Sequence, residues 1–200
     1  CSSDLNDKRA QPQVARFSHQ QPPQPWLELL NNPPTAAWPA FKLAWLREHH
    51  PSQWERIATV LMPKDYVNFR LCGVRATDYS EASCYYLMDS ATLQWSPEAL
   101  RQFGLRADQL PAIHISSEVI GHITPAAASV TGLPPGVPVV AGTADMAATL
   151  LGSGVYQAGI ASDSTGTSTL LTVVSEHPLL SAGVNNLHLA NSAWGGFTLL

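Results

Sequence analysis

An α/β fold is predicted from three stretches of the chain. In Pro138-Val139-Val140-Ala141-Gly142-Thr143-Ala144-Asp145, an apolar run with β-branched residues stops at a glycine, and small residues then lead to Leu150, Leu151 and Gly152. This reads as a buried strand passing through a tight turn into a helix. Residues 159–174 read strand, polar turn, strand, the turn being dense in Gly, Ser and Thr. Helix starts and stops punctuate the chain before them. The clearest is Ser96-Pro97-Glu98, where a cap, a proline at the first helical position and an acid precede Leu100, Phe103 and Gly104.

The composition supports a packed core. Of the 200 residues 45% are hydrophobic and 13% charged, a globular balance rather than a disordered one, and enough for one domain or parts of two. A net charge of −4 with no Lys/Arg cluster gives no reason to expect nucleic acid. The apolar runs fall far short of the roughly twenty residues of a transmembrane helix, and the polar N-terminus shows no signal peptide. Cys1, Cys72 and Cys84 lack metal-ligand spacing and read as reduced thiols of a cytoplasmic protein. The chain starts on Cys and stops inside Gly195-Gly196-Phe197-Thr198-Leu199-Leu200, which reads as a segment of a longer protein.

Taken in order, Asn6-Asp7-Lys8-Arg9 reads as a solvated charged turn, and the Gln- and Pro-rich residues 11–25 as an irregular connection. Residues 26–30 form a brief amphipathic piece ended by Asn31-Asn32-Pro33-Pro34. A helix is expected over 36–49, with Phe41 and Trp45 at helical spacing and Pro51 beyond its end. His49 and His50 are adjacent and do not share a helix face, so they read as helix-end histidines rather than a metal site. A helical turn capped by Ser52, a strand at Thr59-Val60-Leu61-Met62 and a helix over 65–71 closed by Gly73 follow. Asp78 or Ser80 is the expected cap of the next segment, and Tyr85-Tyr86 a packing pair. Leu110-Pro111 opens an extended stretch, 119–123 a strand, and 125–131 a short helix closed by Gly132.

Asp145 is the residue on which a functional reading turns. A carboxylate at a strand-to-helix turn can cap the helix or face a cleft as a general base, and its own segment does not separate the two. The Gly166-Thr167-Ser168 turn, about twenty residues later, either offers backbone N–H groups and hydroxyls to an anion or closes an ordinary hairpin. An acid at a strand end followed by a phosphate-type turn suits phosphoryl transfer, which needs a base to orient the acceptor hydroxyl and donors to hold the phosphates.

The ordered segments resemble the FGGY carbohydrate kinases, most closely their xylulokinase-like branch. Asn6-Asp7-Lys8-Arg9 is similar to W-N-D-x-R, with Leu5 in place of Trp, and Lys42-Leu43-Ala44-Trp45-Leu46 to K-L-x-W-L. Leu61-Met62-Pro63-Lys64-Asp65-Tyr66 with Leu71-Cys72-Gly73 resembles L-x-P-K-D-Y…L-T-G. Thr77-Asp78-Tyr79-Ser80-Glu81-Ala82 resembles T/S-D-x-S-x-A, Ala141-Gly142-Thr143-Ala144-Asp145 resembles A-G-G-G-D, and Gly166-Thr167-Ser168 the G-T-S turn.

The resemblance implies an actin/hexokinase-like ATPase fold of two ribonuclease-H-like lobes around a cleft. This chain would hold the later half of lobe I and the start of lobe II. Residues 1–150 would be the C-terminal part of the sugar-binding domain, and 151–200 the beginning of the nucleotide-binding domain. The implied activity is ATP-dependent phosphorylation of a sugar hydroxyl, on a xylulose-like ketose or related sugar. Asp145 would be the general base, Gly166, Thr167 and Ser168 would face the ATP phosphates, and Asp7, Arg9, Thr143, Ala144 and Met146 would lie at the sugar. Mg²⁺ would bridge the phosphates. Implied partners are the sugar and ATP, with no nucleic acid or membrane, in a cytoplasmic protein that is a homodimer at full length.

Two departures stand out: Ala144 replaces a glycine before the base, which changes the backbone's freedom, and Met146 follows the base where an amide is common. They favour the alternative reading, a non-catalytic sugar-binding or regulatory relative; an actin-like ATPase leaves the ordered match over residues 42–83 unexplained. The family's N-terminal phosphate-binding hairpin and its adenine-binding region have no counterpart here, so the isolated chain is expected to be inactive.

Overall fold

A computed structural model describes residues 7–165, 169–189 and 193–199. The chain is α/β, with helices dominating its first half and an antiparallel sheet closing it.

Three helices build the first layer: α1 (Gln11–Gln20), α2 (Pro23–Leu30) and α3 (Pro39–His49). Residues 11–25 are therefore not the irregular connection expected. Pro12 sits in the first turn of α1, where its missing N–H would have no partner in any case, and Val14 and Phe17, three residues apart, give the helix a buried face. Phe17 then meets Trp26, Phe41, Tyr86 and Phe103, with ring centroids 5.1, 5.4, 5.9 and 5.7 Å away. The two tyrosines pack as expected: Tyr85 and Tyr86 are buried.

A short α4 (Pro51–Trp54) follows, with His50 rather than Ser52 in the cap position. Residues 59–62 form no strand. Val60 donates one backbone hydrogen bond, to the Gln109 carbonyl at 2.8 Å, with no ladder beside it, and Pro63 opens α5 (Pro63–Cys72), which Gly73 closes at φ 78°.

Strand β1 (Ala76–Asp78) runs parallel to β4 (Ala112–His114), with Ala76 opposite Ala112. Between them lie α6 (Tyr79–Ser83), the hairpin of β2 (Met88–Asp89) and β3 (Gln94–Trp95), and α7 (Pro97–Phe103). Asp78 and Ser96 are the side-chain caps of α6 and α7, accepting from the Ser80 and Ala99 N–H groups.

Strand β5 (Val119–His122) pairs antiparallel with β6 (Pro138–Val140), with α8 (Pro125–Thr131) between them. Gly121 packs so closely on α5 that a Cβ there would lie 2.9 Å from the Cys72 Cβ. β6 is not the buried strand expected. Val139 is buried, but Pro138 and Val140 are exposed, because this two-stranded pair is covered by α5 and α8 on one face.

Helix α9 (Asp145–Gly152) leads to β7 (Ala161–Thr165), β8 (Thr169–Ser175), β9 (Asn185–His188) and β10 (Trp194–Leu199). These four strands form one antiparallel sheet in the order β7-β8-β10-β9. The two strands expected here are β7 and β8, paired antiparallel; Gly166-Thr167-Ser168, the expected turn, lies outside the described residues. α9 packs Ala147 and Leu150 onto Val174, Leu187 and Leu189 of the sheet region.

The sheet is tied to the helices by two buried amides. The Asn186 N–H donates to Asn32 Oδ1 at 2.7 Å, and Asn32 Nδ2 donates to the carbonyls of Asn186 at 3.1 Å and Ser83 at 3.2 Å. Asn31, just before, adopts the left-handed conformation at φ 56° that ends α2.

The aromatic cluster should dominate stability. Phe41 is fully buried and touches three other rings. Phe41→Ala should cost about 3–5 kcal/mol, read as a lower urea midpoint with an unchanged m-value.

Candidate active site

The site is built where β6 ends and α9 begins. The Ala141 carbonyl accepts from Lys64 Nζ and from Asn68 Nδ2, both at 2.9 Å and both from α5. The N–H groups of Ala141 and Gly142 donate to the carbonyls of Glu118 and Ser116, each at 2.9 Å. Gly142 then turns the chain with φ 79°, a left-handed conformation that suits glycine and sets it 3.3 Å (from an added Cβ) against Lys64 Cδ. Ala144 is the cap residue of α9 at φ −57°, ψ 148°, with no side-chain hydrogen bond to offer.

Asp145 is therefore the first residue of the helix rather than its cap. Its carboxylate is exposed and accepts the Met146 N–H at 2.7 Å, and its carbonyl accepts the Thr149 hydroxyl at 2.8 Å. A negative side chain at this end of a helix is favoured by the helix dipole.

Beneath the turn lies a buried polar cluster. Asp78 Oδ2 accepts the Ser80 N–H at 2.9 Å, the Ser80 hydroxyl in a very short hydrogen bond, and the Ser116 hydroxyl at 3.1 Å. Ser80 Oγ also lies 2.8 Å from Thr143 Oγ1 and accepts the Ala144 N–H at 2.8 Å. Lys64 Nζ sits 2.7 Å from Asp65 Oδ1 and 3.1 Å from Asp78 Oδ1, and both carboxylates are fully buried.

One cation thus serves two carboxylates. Burial pulls the Lys64 pKa down, but Asp65 and Asp78 more than offset it and hold the ammonium above its ordinary range. Asp65 stays above the ordinary carboxylate range, because its burial outweighs its share of that ammonium. Glu81, on α6, is pushed up to about 7 by burial, with Asp65, Asp78 and Asp145 adding repulsion against the opposing pull of Lys64.

Thr143, Ala144, Asp145 and Met146 follow one another through the end of this turn into α9. Ala144 is buried, with its N–H committed to Ser80, and Met146 packs against the apolar cluster under α9. Asp7 and Arg9 sit elsewhere, beside α3. Arg9 Nη2 pairs with Asp7 Oδ2 at 2.6 Å and its guanidinium lies 4.5 Å from the Trp45 ring centre. The Arg9 hydrogen bonds hold the Asp7 carboxyl down to about 2. Gly166, Thr167 and Ser168 lie outside the described residues; on the strands to either side, Thr165 Oγ1 lies 3.3 Å from Thr169 Oγ1. Among the described residues no cluster of three or more His, Cys, Asp or Glu side chains is arranged to hold a metal ion.

Lys64, Asp65, Ser80 and Ser116 were not singled out by sequence reasoning as parts of the site. Pro63-Lys64-Asp65 and Thr77-Asp78-Tyr79-Ser80 were visible as segments, but only the fold shows that both converge on the residues before Asp145.

Comparison with known proteins places the chain among the carbohydrate kinases. Residues 4–152 match the N-terminal domain of the FGGY family of carbohydrate kinases, and the chain belongs to that family. It is 33% identical over 171 residues to the xylulose kinase of Bacillus subtilis (strain 168), covering 86% of this chain and 34% of that protein. It is 40% identical over 137 residues to the xylulose kinase of Escherichia coli (strain K12), covering 68% of this chain and 28% of that one. The crystal structure of xylulose kinase from Rhodospirillum rubrum superposes with a TM-score of 0.92 at 26% identity, over 96% of this chain and 40% of that one. The chain thus spans about a third of the length of these curated relatives, and its fold is the expected actin/hexokinase-like one, in part.

Glu81 gives the site a pH signature. Its folded pKa lies above its unfolded value near 4.5, so its contribution to stability is complete below pH 4.5 and is lost as pH rises through about 7. The buried His188, whose pKa burial lowers below its ordinary 6.5, acts in the opposite sense, its contribution being lost as pH falls below 6.5. Glu81→Gln should remove its own share of the decline between pH 4.5 and 7, a change of about 2 kcal/mol after partial solvent screening, and leave the decline from Asp65, which is raised in the same sense, set against the rise from His188. Chemical denaturation from pH 4 to 8 checks this.

Proposed function

We propose that the protein containing this chain transfers the γ-phosphoryl group of ATP to a sugar hydroxyl, and that Asp145 accepts the proton of that hydroxyl. The observation that carries the reading is the exposed Asp145 carboxylate on the first turn of α9, on a turn fastened from beneath by Lys64 and Ser80. A general base must be exposed to substrate yet fixed in place, and this carboxylate meets both conditions.

In this reading the Gly166-Thr167-Ser168 turn between β7 and β8 supplies donors to the ATP phosphates, with Mg²⁺ bridging them. The lobe boundary falls within residues 142–157. The packing of α9 onto the β8–β9 side of the sheet supports that division. Thr143 is the polar neighbour of the base on its own turn, and Asp7 and Arg9 belong to the outer part of the sugar site. The names of the xylulose kinase relatives point to xylulose or a related ketose as the sugar, and in this reading the protein acts in the cytoplasm. A panel of ketoses, aldonates and polyols on the full-length protein, with ADP release as readout, selects the substrate. The apolar packing of Met146 favours the second reading, a non-catalytic sugar-binding relative, and that reading expects no ADP release on any sugar.

Asp145→Asn separates base from scaffold. The amide keeps the size of the side chain and can still accept the Met146 N–H, so the melting temperature should hold. Turnover should fall by roughly 10²–10⁴-fold. An asparagine variant of the full-length protein that turns over within a few-fold of wild type removes Asp145 from the mechanism.

A further inference from the structure

We infer that Ser80 is a positioning residue for Asp145, setting the direction of the carboxylate by fixing the two residues before it. The inference rests on the reading of Asp145 as the base. Among the described residues Asp145 makes hydrogen bonds only within α9, so its aim depends on the backbone that delivers it. That backbone has a weak point. Gly142 is in a left-handed conformation, and the cap residue Ala144 has no side chain with which to close the helix start. The missing restraint comes from α6. Ser80 is 1% exposed, so water does not compete for its hydroxyl.

The hydrogen-bond polarity is fixed by counting protons. A hydroxyl has one proton and two acceptor lone pairs. The Ser80 proton goes to the Asp78 carboxylate, and one lone pair takes the Ala144 N–H. The contact with Thr143 at 2.8 Å therefore has Thr143 donating. Ser80 is saturated, and both of its incoming bonds come from the residues immediately before Asp145. Asp78 is itself held by Ser116 and by Lys64, which also grips the Ala141 carbonyl. The turn is thereby clamped on both sides of Gly142. Thr143, locked as a donor inward, presents only acceptor lone pairs outward, which fits a sugar hydroxyl as the group it would meet.

The test uses the full-length protein and the sugar on which the wild type releases ADP, with Ser80→Ala, Asp145→Asn and the double variant. Ser80→Ala should lower kcat by about 10- to 100-fold, the scale of a sub-ångström to ångström misplacement, with the sugar KM within a few-fold of wild type. In the Asp145→Asn background it should cost nothing further, because residues acting as one unit are non-additive. An unchanged kcat, or the same loss in both backgrounds, overturns the inference. Should Ser80→Ala fail to fold, Thr143→Val removes the partner hydroxyl while keeping the shape. It should lose turnover that Thr143→Ser restores, and equal turnover in those two variants overturns the inference. Asp145→Asn alone separates the two levels. If it is crippled while Ser80→Ala is fully active, only the positioning role falls. If it is active, the base reading falls and the inference falls with it.

Discussion

The Asp78 carboxylate is fully buried, and the geometry of the candidate site follows from how it is satisfied. A buried carboxylate is costly unless it is paired and hydrogen-bonded. Asp78 collects the Ser80 N–H and O–H from α6, the Ser116 hydroxyl from the β4–β5 connection and the Lys64 ammonium from α5. Each donor leads outward to the same place. Ser80 reaches Thr143 and Ala144, Lys64 reaches the Ala141 carbonyl, and the Ser116 carbonyl takes the Gly142 N–H. Four consecutive residues of the β6–α9 turn are thus referred to one buried charge. Such a cluster is a poor source of stability, since well-packed apolar residues of the same volume often do as well or better. What it supplies is fixed geometry, because every donor must be in place for the charge to be tolerated.

The same short helix carries a second joint. α6 has only five residues, yet Ser80 at its start holds the β6–α9 turn and Ser83 at its end holds the sheet. The Ser83 hydroxyl accepts the His188 N–H at 3.2 Å, and its carbonyl accepts from Asn32, which is clasped to Asn186. His188 is packed between Tyr79 and Trp194, at ring distances of 5.4 and 4.9 Å. The helical layer, the closing sheet and the turn before Asp145 therefore meet on one element. A shift of β9 against the helices must load α6, and α6 is what holds the turn.

Much of the local structure was legible because its signals are local. Ser96-Pro97 opened α7, Gly73, Gly104 and Gly132 closed their helices in left-handed conformations, and β7 and β8 are the two strands read on either side of a polar stretch. The failures share a cause, which is that long-range packing outweighed a local cue. Residues 11–20 look like a Gln/Pro connection until Phe17 is placed among four aromatic rings. Residues 59–62 look like a strand, but no neighbouring strand runs beside them to complete a ladder. β6 reads as a fully buried strand, yet a two-stranded pair leaves one face open. Of the site, Asp145 and its turn were legible from the strand-to-helix pattern. The cluster beneath it was not, since Lys64, Asp78, Ser80 and Ser116 come from three separate segments and a spacing rule sees one segment at a time.

The two departures from the family pattern in this turn can now be weighed against its geometry. A glycine is needed where φ is positive, and in this turn that place is Gly142, which the chain keeps. Ala144 sits at φ −57°, a conformation open to any residue, so its methyl group adds no backbone strain. The methyl is buried instead, packed with Ala147 and Leu150 against the sheet region. Met146 packs against the same cluster, so where an amide would offer hydrogen bonds, this chain offers apolar contact. Both side chains add apolar contact beneath α9, and the bonds by which Ser80 and Lys64 hold the turn go to the backbone of Ala144 and Ala141, not to these side chains. The chain can therefore depart from the family pattern on either side of Asp145 and still present the carboxylate from the same clamped backbone. In the proposed reading, the difference falls on the surroundings of the sugar and not on the support of the carboxylate.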